Sequence, residues 1–273
     1  MQLIVSPFRW VSPSRWIPPF ASLSLIATSG LAAIPLKEVH QVVPLDANGE
    51  LSLTTFKGII KMTAWDRAEV KLDASIQPGD ESSSCGSEEE KAERVRRTDV
   101  KIETSPGSVR VKTDYDQLTP VGNPVNQCVS RPFVNYEIKL PANARIRIAD
   151  HKSTIEIADL HGAITIATHK GKLDLRGIEG PLELNTHKSE GRVAFNKLSR
   201  PSQISSHKGD IEVSLPRSGG FELDANVGRK GELQSDFAET NRTGKGQYRG
   251  SVNGGGPALR LNTFKGHFRL RQA

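Results

Sequence analysis

An all-β fold, a parallel β-solenoid (β-helix-like) with about 18–20 residues and two short strands per turn, is what this chain predicts. Three observations carry that reading. A His-Lys pair recurs at a near-constant period, alternating apolar pairs lie between the recurrences, and aromatic residues make up only 5% of a chain that is 36% hydrophobic. A narrow core of Ile, Val and Leu stacked turn on turn does without large rings, whereas a conventional globular core uses more of them.

The repeat comes first. His151-Lys152, His169-Lys170, His187-Lys188 and His207-Lys208 are spaced 18, 18 and 20 residues apart, and periods near 20 are the mark of stacked repeats. A small residue follows each pair: Ser153, Gly171, Ser189 or Gly209. Next comes an alternating apolar pair, Ile155/Ile157, Leu173/Leu175, Val193/Phe195 or Ile211/Val213, which in the third unit is reached two residues late through Glu190-Gly191. A second alternating segment completes each unit, at Ile164/Ile166, Leu182/Leu184, a weaker one ending at Ile204, and Phe221/Leu223. Strict period-two alternation over so few residues means half-buried strands. One such unit buries too little to order itself, so the units must stack.

Degenerate copies of the corner lie outside the block 150–215: Thr55-Phe56-Lys57-Gly58, Arg229-Lys230-Gly231 and Thr263-Phe264-Lys265-Gly266. The residue before the pair is usually a small hydroxyl (Thr55, Thr168, Thr186, Ser206, Thr263), with Asp150 the exception. This predicts an inward hydroxyl ladder that satisfies backbone groups at the bend.

N-terminal strands and a short helix precede the repeats. Glu50–Thr55, Gly58–Thr63, Val70–Ala74, Val100–Glu103 and Val109–Lys112 read as strands, and Val134, Tyr136, Ile138 and Leu140 alternate up to Pro141. Ser87 and Glu90 stand at capping-box spacing ahead of Lys91–Arg97. Pro120–Pro132 and the Gly-rich run Gly244–Pro257 read as loops.

Residues 1–33 contain no acidic residue, carry Arg9 and Arg15, and run through an apolar stretch of about 17 residues to Leu31-Ala32-Ala33. This is the pattern of a secretory signal peptide, and the stretch is shorter than the roughly 20 apolar residues a spanning helix needs. The expectation is an exported protein (periplasm, cell surface or extracellular) whose single domain is 34–273, with no transmembrane span after cleavage. Losing Arg9 and Arg15 takes the formal charge from +6 to +4, too mild a bias to argue for nucleic acid. Cys85 and Cys128 are the only cysteines, and in an exported chain a disulfide is the expected state. Neither has a second ligand at metal-binding spacing.

The ordered run Gly49-Glu50-Leu51-Ser52-Leu53, Lys57-Gly58-Ile59-Ile60, Ala64-Trp65-Asp66, Val134–Pro141, the repeated turns, then Gly255-Gly256-Pro257 and Leu259–Thr263 resembles the bacterial putative-adhesin family, exported β-solenoid domains of largely unknown function. The resemblance covers nearly all of 34–273 and implies an envelope or surface protein with an adhesin-like binding role. The His-Lys corner departs from the Ser-Gly or Asn-Gly turns usual there.

In register, the four pairs would make a His column and a Lys column. Three readings follow for His151, Lys152, His169, Lys170, His187, Lys188, His207 and Lys208. They are solvated side chains repeated by duplication, or a strip for an acidic polysaccharide or other anionic envelope polymer, or adjacent imidazoles that hold a metal. A structural or signalling role toward protein partners is the alternative function. Catalysis is not expected: Glu156, Asp174, Glu183 and Glu212 occupy outward strand positions, and no nucleophile elbow, zinc-protease helix or phosphate loop occurs. No cofactor is expected. Asn241-Arg242-Thr243 matches a glycosylation acceptor.

Overall fold

The computed structural model describes residues 36–79, 86–118 and 130–273. The expected leader 1–33 and the pair Cys85 and Cys128 lie outside the described residues. The N-terminal part comprises β1 (Lys37–Pro44), β2 (Glu50–Thr54), β3 (Lys57–Trp65), β4 (Glu69–Gln77), α1 (Glu88–Arg97), β5 (Asp99–Ser105), β6 (Ser108–Asp114) and β7 (Phe133–Pro141). The repeats form β8 (Arg145–Ala158), β9 (Ile164–Ile178), β10 (Leu182–Phe195) and β11 (Ser202–Leu215). Then come β12 (Phe221–Asn226), β13 (Glu232–Ser235), β14 (Asn241–Gly244), β15 (Gln247–Val252) and β16 (Ala258–Gln272).

The described residues are all-β apart from α1, and their strands form one large mixed sheet whose main path runs β1-β4-β7-β3-β8-β9-β10-β11-β16-β12-β15-β14. The wholly parallel coil expected from the repeats gives way to this mixed arrangement. β8, β9, β10, β11 and β16 pair in parallel, while β1–β4, β4–β7, β5–β6, β12–β15 and β14–β15 are antiparallel. Parallel pairing spans the part where the sequence repeats, because identical turns superpose their inward and outward positions. Hairpins occupy both flanks, where the repeat has decayed.

Each repeat is one continuous strand of 14 or 15 residues bent at its His-Lys pair, rather than two short strands separated by a turn. Before the corner β8 buries Ile146 and Ile148; after it, Ser153, Ile155 and Ile157. The inward parity changes across His151 and Lys152, which both point outward. Two consecutive outward residues put the bend there, and the second arm folds back to share the core of the first. Backbone pairing persists through the bend, Lys152 lying opposite Lys170 and Lys170 opposite Lys188.

The core is a set of apolar ladders. Leu53, Ile148, Ile166, Leu184, Ile204 and Leu261 run along one arm, and Met62, Ile157, Leu175, Val193, Val213 and Leu270 along the other. All are at most 2% exposed, so each turn gives its apolar surface to its neighbours and keeps little for itself.

The extra length of the third unit lies elsewhere than expected. Gly191 pairs in register with Leu173 and Ile211, and Val193 with Leu175 and Val213, so Glu190-Gly191 inserts nothing. The surplus falls in the loop Asn196–Pro201, where no ladder is interrupted. A side chain at Gly191 would meet the Leu173 carbonyl oxygen at 2.1 Å, which explains why this inward position is empty.

The capping box is present: the Glu90 amide donates to Ser87 Oγ at 3.3 Å, and the Ser87 amide donates to Glu90 Oε2 at 2.7 Å. Four strands were not foreseen. β13 pairs in parallel with β16, and β14 pairs antiparallel with β15. β1 has an irregular burial pattern but pairs antiparallel along β4, and β15 occupies the Gly-rich run read as a loop, held against β12. Its glycines at positive φ, Gly246 and Gly254–Gly256, sit at the turns that bracket the strand.

Candidate functional site

The outer corner copies do not follow the repeats in chain order. β3 lies directly on β8, with Lys57 opposite Lys152, and β16 lies directly on β11, with Lys208 opposite Lys265. The Arg229–Gly231 corner, expected between the repeats and the C-terminal copy, is displaced outside it: β12 and β13 pair with the far side of β16. The six corners are therefore contiguous, and the positions before the lysines read Phe56, His151, His169, His187, His207, Phe264.

These six rings form one column. Centroid separations are 4.5 Å for Phe56–His151, then 4.8, 4.7 and 4.6 Å between successive histidines, and 5.1 Å for His207–Phe264. Neighbouring imidazoles tilt by only 3–6°, so their faces turn toward one another and their edges outward. The spacing is that of the underlying strands, about 4.8 Å, and the fold itself imposes the stack. At the Phe56 end the Arg131 guanidinium sits 4.1 Å from the ring centroid, and Tyr115 packs edge-on at 6.4 Å. At the other end Phe264 is 54% exposed, with the Lys265 Nζ 5.5 Å from its ring centroid.

Beside the rings run the lysines. Lys152, Lys170, Lys188, Lys208 and Lys265 are exposed, while Lys57 is only 8% exposed and lays its Nζ 4.5 Å from the Phe133 ring centroid. None of Lys152, Lys170, Lys188 and Lys208 forms an ion pair among the described residues. Many charges on the sheet faces do pair: Arg147 with Glu50 at 3.2 Å, Arg269 with Asp210 at 3.6 Å, Arg271 with Asp236 at 2.9 Å. Two ammonium groups 5 Å apart repel by about 0.8 kcal/mol in a water-like dielectric, and by more near the protein. The corner is thus a line of like charge without local compensation.

Beneath the column the hydroxyl ladder is buried as expected, with Thr55, Thr168, Thr186, Ser206 and Thr263 all at or below 8% exposure. Its bonding differs from expectation. Only Ser206 donates to a backbone carbonyl here, that of Lys208 at 3.0 Å. Thr186 bonds Ser189 at 2.5 Å, Thr55 accepts from Thr113 at 2.8 Å, and Thr168 donates to Asp150 at 2.9 Å. Asp150 also accepts from the amide and hydroxyl of Ser153, at 2.9 and 2.6 Å. Burial raises the Asp150 carboxyl above the usual range, and these hydrogen bonds oppose the rise. Thr263 Oγ1 has no partner among the described residues, since the residue three on is Gly266 where β8 and β10 have serine.

On the other flank of the rings lies a shallow groove, floored by Ala149, Ala167, Asn185, Ser205 and Asn262 and walled by the ring edges. The parallel imidazole planes aim neighbouring nitrogens along parallel lines. Such a column does not converge on one point as tetrahedral coordination at about 2.0–2.1 Å requires.

The acidic residues weighed for catalysis are divided between the two arms, and Glu156 stands in register with Asp174. Glu183 lies on the first arm and accepts from Asn185 at 3.2 Å, whereas Glu156, Asp174 and Glu212 lie on the second. Asp174 is paired with Arg176, which holds its carboxyl below the usual range, and Glu212 stands 3.9 Å from both Arg192 and Arg271.

No family model matches this chain, and no curated protein matches it. Among solved structures it is similar to a putative cell adhesion protein from Clostridium sporogenes, 13% identical, with a TM-score of 0.47 over 87% of this chain and 100% of that one. It is also similar to a putative adhesin from Bacteroides fragilis, 10% identical, with a TM-score of 0.34 over 87% and 97%. A putative lipid binding protein from Parabacteroides distasonis is 10% identical, with a TM-score of 0.25 over 85% and 96%. No helix among the described residues is long and apolar enough to cross a membrane.

Proposed function

We propose that this chain is an exported, non-enzymatic, adhesin-like binding protein of the cell envelope. In this reading it takes a linear anionic polymer, an acidic polysaccharide in the first instance, along the His/Lys corner of a coil of stacked turns. The observation that carries it is the uncompensated line of lysines in register beside the ring column. A row of cations at strand spacing suits a ligand that is itself linear and charged, because bound anions relieve the repulsion between neighbouring ammonium groups. Asn185, Ser205 and Asn262 in the adjoining groove offer amide and hydroxyl groups to the neutral parts of such a polymer.

Binding to polygalacturonate, with neutral dextran as control, tests the reading. Changing Lys152, Lys170, Lys188 and Lys208 together to Ser should weaken binding at least tenfold. In the unaltered chain, raising the salt should weaken it too, since exposed charges are screened beyond about 8–10 Å at physiological ionic strength. Binding that is unchanged by the substitutions and insensitive to salt overturns the reading.

A further inference from the structure

We propose that the four stacked imidazoles make polyanion capture acid-activated: a polymer lying along the corner draws protons into the His151–His207 column, and acidification in turn tightens its hold. The inference rests on the polyanion reading above and deepens it by assigning a separate task to the rings.

Geometry supplies the coupling. His169 and His187 each have an imidazole on both faces at 4.6–4.8 Å, His151 and His207 have one on a single face, and the two end rings are phenyls that cannot take a proton. An imidazolium at one position therefore disfavours a second beside it. The groups facing the column leave it short of negative charge. They are the lysine next to each ring, Arg131 over Phe56, the Tyr115 hydroxyl beyond it, and Asp150, whose carboxyl is bound inward to Ser153 and Thr168. His187, in the middle, is held below the ordinary imidazole range by desolvation, and further by His169 and His207. A polyanion along the corner supplies the missing negative charge to rings and lysines alike. Because linkage is reciprocal, whatever the polymer does to the affinity for protons, protons do to the affinity for the polymer.

The ring edges make this possible. All four histidines are exposed, so the protonated rings present N–H donors outward at the same repeat as the lysines. In unliganded protein the same column has an opposite effect on stability. A His187 pKa depressed below its unfolded value of about 6.5 leaves stability complete above that pH and lost as pH falls through the folded value.

The test uses the full chain and dextran sulfate, whose charge does not change between pH 7.5 and 5.5. Affinity should rise at least tenfold over that interval, with net proton uptake seen as a dependence of the calorimetric heat on buffer ionisation enthalpy. In His169→Asn/His187→Asn the rise should fall to threefold or less. That variant keeps every lysine, Asp150, and His40, His161 and His267, so a general increase in positive charge would persist in it. As a second readout, the imidazole NMR signals of the unaltered chain should titrate in two separated steps when free, both moving to higher pH with polymer bound. Equal affinity at the two pH values, or four independent titrations unmoved by polymer, overturns the proton linkage and leaves polyanion binding intact. No binding at either pH overturns this inference together with the reading beneath it.

Discussion

Gly209 shows what one residue contributes at the corner. It sits just after Lys208 at φ +121°, and a Cβ there would lie 2.0 Å from the Ser189 carbonyl oxygen of the preceding turn. The bend is tight enough that one strand's backbone passes directly over the next, and only glycine permits both the dihedral and the approach. Gly107 adopts φ +71° in the β5–β6 turn with nothing within 4 Å of the added carbon. Gly107→Ala should therefore cost about 1 kcal/mol for the dihedral alone, whereas Gly209→Ala should cost about 3 kcal/mol or more because the neighbouring strand must also move. Urea denaturation of both variants checks the ordering, and equal losses would mean that the close approach relaxes freely. The glycines after the His-Lys pairs were visible in the sequence as small residues. Which backbone they press against was not, because that depends on the neighbouring turn.

At the scale of the element, the bent strand explains why period-two alternation is readable on both sides of His-Lys but changes phase across it. Leu184 on the first arm of β10 is fully buried between Ile166 and Ile204, while Glu183 points outward. Leu184→Ala should destabilise by about 2–5 kcal/mol, since rigid strands on both sides limit collapse into the cavity. Glu183→Ala should stay within about 0.5 kcal/mol, and both are read from denaturation midpoints. The strands missed in the sequence, β1, β13, β14 and β15, each bury at most one side chain. Backbone pairing to β4, β16, β15 and β12 holds them, and that contribution leaves little trace in side-chain pattern. The helix was legible down to its cap because capping is decided within four residues.

For the whole molecule, the decisive feature is where the C-terminal strand goes. β16 lies between β11 on one side and β12 with β13 on the other, so the last residues of the chain bridge the repeats to the C-terminal hairpin region. A chain ending at Pro257 would bare the edge of β11 along its whole length and leave β12 and β13 without their shared partner. It should lose cooperative unfolding and self-associate through the freed edge. Size-exclusion chromatography with thermal melts checks this, and a monomeric chain with an unchanged melt would show that β12 can close on β11 unaided. The same insertion caps the ring column with Phe264, so the end of the candidate site and the closure of the sheet depend on one strand.

By itself the sequence determined the all-β class, the spacing and register of the corners, the buried hydroxyls beneath them and the capped helix. All of these follow from local periodicity, where each residue's neighbours are set by its own turn. Only the tertiary structure decided that β3 and β16 sandwich the four repeats, that six rings make one phenyl-ended stack, and that the lysines beside them lack compensating charge. Those outcomes depend on which turns become neighbours. That choice is made by long-range strand pairing, to which chain order is no guide once the repeat has decayed.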